Sequence, residues 1–180
     1  MKLITVFTAF ILMASISFQL PAQEETTHVN VSDQVPTFEF EKSPGNKVSI
    51  NDYKGKTVLI TFFATWCGPC RQELPHIQSE IFNKYKKNPN FELIILGREH
   101  TWEEVSKFRE SNKFSMPFYP DPERKVYAQF AGQYIPRNFL VSSEGKILYT
   151  SFGFDEKEFD KLKAIIVGEL TRKVAKKPEI

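Results

Sequence analysis

Apolar and polar positions change period along the chain, and the changes mark out its elements. Positions 35–40 alternate apolar and polar, with Pro36 near the start, which predicts an edge strand. Ser43-Pro44-Gly45-Asn46 is a turn signal, followed by a second short strand at 47–50 and a further turn at 51–56. Val58 to Phe63 is continuously apolar, the pattern of a strand covered on both faces. From Pro69 the period lengthens. Leu74, Ile77, Ile81 and Tyr85 recur at three- and four-residue steps, which predicts a helix with one buried face. Pro75 lies inside that helix and predicts a kink, and Asn88-Pro89-Asn90 ends it.

A second buried strand is read at 91–97. Thr101, with Glu104 three residues on, forms a capping box for a helix over 102–111. Pro117, Pro120 and Pro122 punctuate a loop, and 123–130 reads as another short helix. Strands at 138–142 and 146–152 are joined by Ser143-Glu144-Gly145, a hairpin signal. Asp155 caps a last amphipathic helix that places Phe159, Leu162, Ile165, Ile166 and Leu170 on one side. Strands alternating with helices, then a closing hairpin and helix, predict an α/β sandwich with a mixed sheet. Trp102 and most of the 17 Phe are assigned to the core.

Composition changes this picture little. The 180 residues, 41% hydrophobic and 26% charged, suit one soluble globular domain with extensions. A net charge of +2, from 24 basic and 22 acidic residues, gives no reason to expect a nucleic-acid partner. The Lys/Arg clusters at 84–87 and 172–177 read as solvated helix ends.

The first 22 residues change more. Lys2, a mostly apolar stretch from Leu3 to Ile16, and a small Ala22 follow the order of a secretory signal peptide. A retained N-terminal anchor is the alternative, although Thr5, Thr8 and Ser15 interrupt the run. Either reading sends the chain out of the cytosol.

Candidate chemistry is confined to Trp66-Cys67-Gly68-Pro69-Cys70, which holds both cysteines of the chain. It follows an apolar strand and opens a helix. Backbone N–H groups at a helix start point at the sulfur, and the helix dipole favours negative charge there, so this placement promotes thiolate. A structural disulfide at this spacing would close too small a loop to stabilise much. Zinc would need two more ligands, and His28, His76 and His100 show no close pairing, so no metal site is read. Thiol–disulfide exchange is the expectation.

With the motif placed on strand, turn and helix, the chain resembles the thioredoxin superfamily. Within it the chain looks most like the exported TlpA/ResA branch of thiol–disulfide oxidoreductases, related to the AhpC/TSA redoxins. The resemblance rests on Phe62 to Arg71, on Pro75 inside the helix and on Ile135-Pro136 far downstream, and covers about 35–170. It implies a thioredoxin-like α/β fold, a central mixed β-sheet flanked by helices. An N-terminal β-hairpin and a helical insert before a cis-proline complete the expected fold. The domain reading is a leader at 1–22, a linker at 23–34, a thioredoxin-like domain at 35–172 and a basic tail at 173–180.

By the same resemblance Cys67 corresponds to the nucleophile and Cys70 to the resolving thiol, the two cycling through a disulfide. Gly68 and Pro69 shape the turn, and that dipeptide accompanies reducing members. Pro136 matches the cis-proline, and the Ile135 backbone would pair with substrate beside Trp66. Glu73 matches an acidic residue beside the active site and would relay protons to the buried thiol; an ordinary early-helix Glu is the alternative. Thr61 stands where cytosolic thioredoxins carry a buried aspartate, so proton handling differs. Arg137 could stabilise the Cys67 thiolate or read a substrate carboxylate, and an exposed strand-end charge is the plainer reading.

The implied activity is an exported, periplasmic reductase of protein disulfides, with cytochrome c maturation as one role. Protein disulfides or dithiols and an upstream membrane electron donor are the implied partners, with no cofactor and a monomeric chain. A net oxidant or isomerase of the same fold is the first alternative. A peroxiredoxin-like peroxidase is a second, against which stands Ile60 where that branch needs proline. A metallochaperone is a third, for which His100 is a poor ligand.

Overall fold

The computed structural model describes residues 26–175. The leader read over 1–22 lies outside the described residues, as does the end of the basic tail at 176–180. Five strands form the main sheet, in the order β5-β4-β3-β6-β7. At its centre β3 (Thr57–Phe63) runs parallel to β4 (Phe91–Arg98) and antiparallel to β6 (Arg137–Val141). Outside them lie β5 (Tyr119–Asp121), parallel to β4, and β7 (Ile147–Phe152), antiparallel to β6. The sheet is mixed, as expected.

All seven residues of β3 are buried, because both sheet faces are covered. Leu59 and Phe63 point to one face, where they meet Leu74 of α1 (Gly68–His76), Val105 and Phe108 of α3 (Trp102–Ser111), and Phe159 and Leu162 of α5 (Glu156–Ala175). Ile60 and Phe62 point to the other. They pack there with Tyr127 and Phe130 of α4 (Tyr127–Phe130) and with Phe38 and Phe40. Phe40 belongs to an N-terminal hairpin, β1 (Glu39–Ser43) against β2 (Asn46–Ser49), and its ring lies 4.9 Å from that of Tyr119.

Local differences from the sequence reading have physical causes. The first strand begins at Glu39 rather than position 35, because the Val35 amide is taken by Gly145 O (2.8 Å) and Gln34 bridges to Lys146. Ile50 leaves the second strand for a tight turn, Ile50–Tyr53, started by a Ser49/Asp52 capping box. The proline-rich loop contains β5. Pro120 is tolerated there because an edge strand leaves half its amides unpaired. The following helix starts only at Tyr127, where Asp121 accepts the Val126 and Tyr127 amides at 3.1 and 2.8 Å.

The long helix read from Pro69 is broken into three segments. After α1, residues Ile77–Phe82 adopt the wider i→i+5 pattern before α2 (Asn83–Tyr85). Pro75 has no amide proton to give the turn before it, and the Ile77 amide is shared between Glu73 O and Leu74 O. The stretch read as linker lies against the domain from Thr26 onward: Val29 is buried and Thr27 bridges to Ala131.

Candidate active site

The strand β3 delivers the chain to the start of α1 through Ala64-Thr65-Trp66, and Cys67 caps the helix. Its extended backbone (φ −78°, ψ 111°) turns Sγ over the first turn, where it accepts the Cys70 amide at 3.2 Å. Pro69 sits inside that turn, where its missing N–H costs nothing. Cys67 and Cys70 are joined as a disulfide, with Cα atoms 5.3 Å apart. Cys67 keeps a trace of exposure and Cys70 none. Gly68, Pro69 and Trp66 surround the pair at the surface, and Trp66 is 64% exposed.

Ile135 faces the pair from the loop before β6. Its carbonyl oxygen lies 3.6 Å from Cys67 Sγ, and the Ile135–Pro136 bond is cis. In the disulfide the sulfur has no proton, so this contact becomes a hydrogen bond only in the thiol form. The loop is held from both sides. Tyr127 Oη donates to Tyr134 O (2.6 Å), and Arg137 donates to Gln133 O through Nε (3.1 Å) and one terminal nitrogen (2.9 Å). Tyr134 takes a left-handed conformation (φ +66°), which turns its exposed ring onto exposed Phe152, 5.9 Å away and stacked.

Arg137 is not an exposed strand-end charge. It is 1% exposed, and its guanidinium also donates to Thr27 Oγ1 (2.5 Å) and Thr26 O (2.6 Å). Both possible roles at the thiolate or a substrate carboxylate give way to a clamp, because the hydrogen-bonding edge is spent on the 26–27 segment and on Gln133. Burying this charge demands such saturation with acceptors.

Glu73 lies three residues past Cys70 and is 2% exposed. Its Oε1 accepts from Asn138 Nδ2 at 2.6 Å, while Oε2 is buried with no hydrogen-bond partner. Desolvation dominates, and a single amide donor opposes it only in part. The carboxyl is pushed up to about 8. Asn138 is in turn fixed by Thr61, whose hydroxyl donates to Asn138 Oδ1 at 2.8 Å. Thr61, Asn138 and Glu73 thus form a buried polar chain in an apolar layer.

Sequence reasoning singled out Glu73 and Thr61 but missed Asn138 as their link. A signal existed: Thr61 and Asn138 are each a polar residue within an apolar strand run, and a buried polar group needs a partner. His100, set aside as a metal ligand, has both ring nitrogens engaged. Nε2 accepts the Thr65 amide at 2.8 Å, which leaves Nδ1 to donate to Glu99 O at 3.0 Å. No pattern in the sequence announced that bond.

The chain is similar to known thiol–disulfide oxidoreductases. A family model described as Redoxin matches residues 30–166. A thiol-disulfide oxidoreductase ResA of Bacillus cereus is 29% identical over 130 residues, covering 72% of this chain and 74% of the relative. A solution structure from Bacteroides thetaiotaomicron, provisionally described as a protein disulfide isomerase, is 33% identical with a TM-score of 0.77. It covers 82% of this chain and 94% of its own. The crystal structure of StoA from Bacillus subtilis is 26% identical with a TM-score of 0.58, over 72% of this chain and 96% of that one.

Proposed function

The chain belongs to the Redoxin family and is a thiol–disulfide oxidoreductase, and from that premise we propose that it reduces disulfides of exported proteins. The observation that carries the proposal is the placement of Cys67 Sγ at the N-terminus of α1, against the Ile135 carbonyl. A thiolate there is favoured by the Cys70 amide and the helix dipole. A substrate strand laid along Ile135 brings its own disulfide to that sulfur.

The cycle follows. Cys67 thiolate attacks one substrate sulfur; the substrate S–S bond breaks, the departing thiolate takes a proton, and a mixed disulfide forms. Cys70 then loses its proton and attacks Cys67 Sγ, which releases the second substrate thiol and leaves the Cys67–Cys70 disulfide. Glu73 is the proton acceptor for Cys70. Burial pushes its carboxyl up to about 8, which makes Glu73 a stronger base than an ordinary carboxylate. An upstream membrane dithiol donor returns two electrons to the pair. The leader pattern at 1–22 supports export, with the domain in the periplasm or anchored there through that segment, and apocytochrome cysteines awaiting haem form one class of substrate. Trp66 and the stacked Tyr134–Phe152 pair give such a polypeptide an apolar surface beside the sulfur.

The test is a Cys70→Ala chain expressed with its leader, from which mixed disulfides between Cys67 and its partners are recovered and identified. Recovery of exported proteins with paired cysteines supports the reading, and no adduct from an exporting cell overturns it. The reduction potential fixes the direction: a value near roughly −270 mV fits a reductase, and one near roughly −120 mV makes the protein a net oxidant.

A further inference from the structure

We propose that Asn138, held by Thr61, is a positioning residue that decides which oxygen of Glu73 carries the proton. The inference rests on Glu73 as the proton acceptor for Cys70. Three observations support it. Thr61 and Asn138 stand opposite each other in the β3–β6 register, so their side chains share one sheet face. The Thr61 hydroxyl donates to Asn138 Oδ1 at 2.8 Å, which fixes the amide so that its NH2 points at Glu73. Asn138 Nδ2 then donates to Oε1 at 2.6 Å, while Oε2 is buried with no partner.

The consequence is directional. An amide that can only donate keeps Oε1 an acceptor, so the carboxyl proton resides on Oε2, the oxygen left free to exchange it. The same donor is the one hydrogen bond among the described residues that stabilises the ionised carboxylate, and so limits how far burial raises the carboxyl. Were the Asn138 amide reversed, Oδ1 would face Oε1, repel the carboxylate and demand a proton between them. Thr61 opposes that reversal, which would take the Oδ1 acceptor away from its hydroxyl proton.

The groups facing Glu73 come from several elements. Cys70 lies one turn back on α1, Thr61 on β3 and Asn138 on β6. From β7, Ser151 Oγ lies 3.4 Å from Asn138 Nδ2, and Tyr149 is close enough to feel the Glu73 charge. The Tyr149 hydroxyl is engaged by Glu158 of α5, at 3.0 Å to its carbonyl and 3.1 Å to Oε2.

The experiment follows the Glu73 side-chain carboxyl by 13C NMR across pH, in the disulfide form of the full chain. Thr61→Val and Asn138→Ala are expected to move its midpoint upward by about one pH unit, while Thr61→Ser, which keeps the hydroxyl, stays near the parent. Unmoved midpoints in Thr61→Val and Asn138→Ala overturn the assignment, as does a downward shift in either. A merely structural role would lower stability without moving the midpoint. Thr61→Val alone tests the assignment should Asn138→Ala fail to fold. The pH profile of disulfide exchange is measured beside it. Midpoints that move while the rate profile does not would leave the positioning assignment standing and overturn Glu73 as the acceptor.

Discussion

The Nε2 of His100 accepts the amide proton of Thr65 at 2.8 Å, and this bond ties the loop after β4 to the residues that present Cys67. Gly97 makes the approach possible. A Cβ at Gly97 would lie 2.6 Å from Val105 Cγ1 and 3.1 Å from His100 Cβ, so no side chain fits. His100→Ala is expected to cost about 1–3 kcal/mol by leaving the Thr65 amide without its acceptor, and to slow exchange at Cys67. Gly97→Ala is expected to cost about 1–3 kcal/mol through overpacking and to produce the same kinetic defect. Urea denaturation and turnover of a peptide disulfide check both. Full exchange rates in either variant would separate His100 from the active site.

Glu73 makes stability depend on pH. Folded, its carboxyl holds a proton up to about 8; unfolded, it releases the proton near 4.5. Between these values the folded state binds more protons than the unfolded one, so stability falls as pH rises through the window and levels off above it. Glu73→Gln, which can still accept from Asn138, is expected to remove that slope and to be the more stable protein at pH 8, by up to roughly 4 kcal/mol. Denaturation of the disulfide form at several pH values checks it, and parallel curves for the two proteins would refute it.

Arg137 holds the loop that carries Ile135 and the 26–27 segment at once. Arg137→Met keeps the bulk but strands the Gln133 and Thr26 carbonyls. It is expected to cost about 2–4 kcal/mol and to expose the N-terminal segment to protease. Arg137→Lys, which cannot reproduce the fork of donors, is expected to fall between. Thermal denaturation and limited proteolysis read the two effects. An unchanged cleavage pattern in Arg137→Met would mean that the segment is held by other contacts.

After reduction, Cys67 is expected to react with iodoacetamide at least about tenfold faster than Cys70, because it alone keeps surface and receives the Cys70 amide. Mass spectrometry of tryptic peptides reads the ratio. Equal labelling would remove the distinction between attacking and resolving thiol.

Tyr134 and Phe152 stack in the open beside Ile135. Tyr134→Ser with Phe152→Ser is expected to raise KM for a polypeptide disulfide several-fold, while exchange with a small dithiol is unchanged. Steady-state kinetics on both substrates decide it, and equal KM values in parent and variant would remove the pair from the substrate surface.

Much of this was legible in the sequence because it is local. The capping box of Thr101 and Glu104, the buried run of β3 and the Asp155 cap each depend on a few neighbouring residues and on backbone geometry. The strand–turn–helix setting of Cys67 and Cys70 is of the same kind, so the chemistry could be read before the fold. β5 could not, since a three-residue strand interrupted by Pro120 exists only because β4 offers it an edge.

The remaining site was decided by tertiary structure. Asn138 meets Glu73 across 65 residues, His100 meets Thr65 across 35, and Arg137 reaches Thr26 across 111. Sequence shows which side chains are polar. Whether one is solvated or buried, and which partner answers it, depends on strand register and on the layer packed above. That is why Arg137 reads as a surface charge in the sequence and becomes a buried clamp in the fold. By the same rule, Thr61 opposite Asn138 in the β3–β6 ladder turns an isolated Glu73 into one end of a buried polar chain.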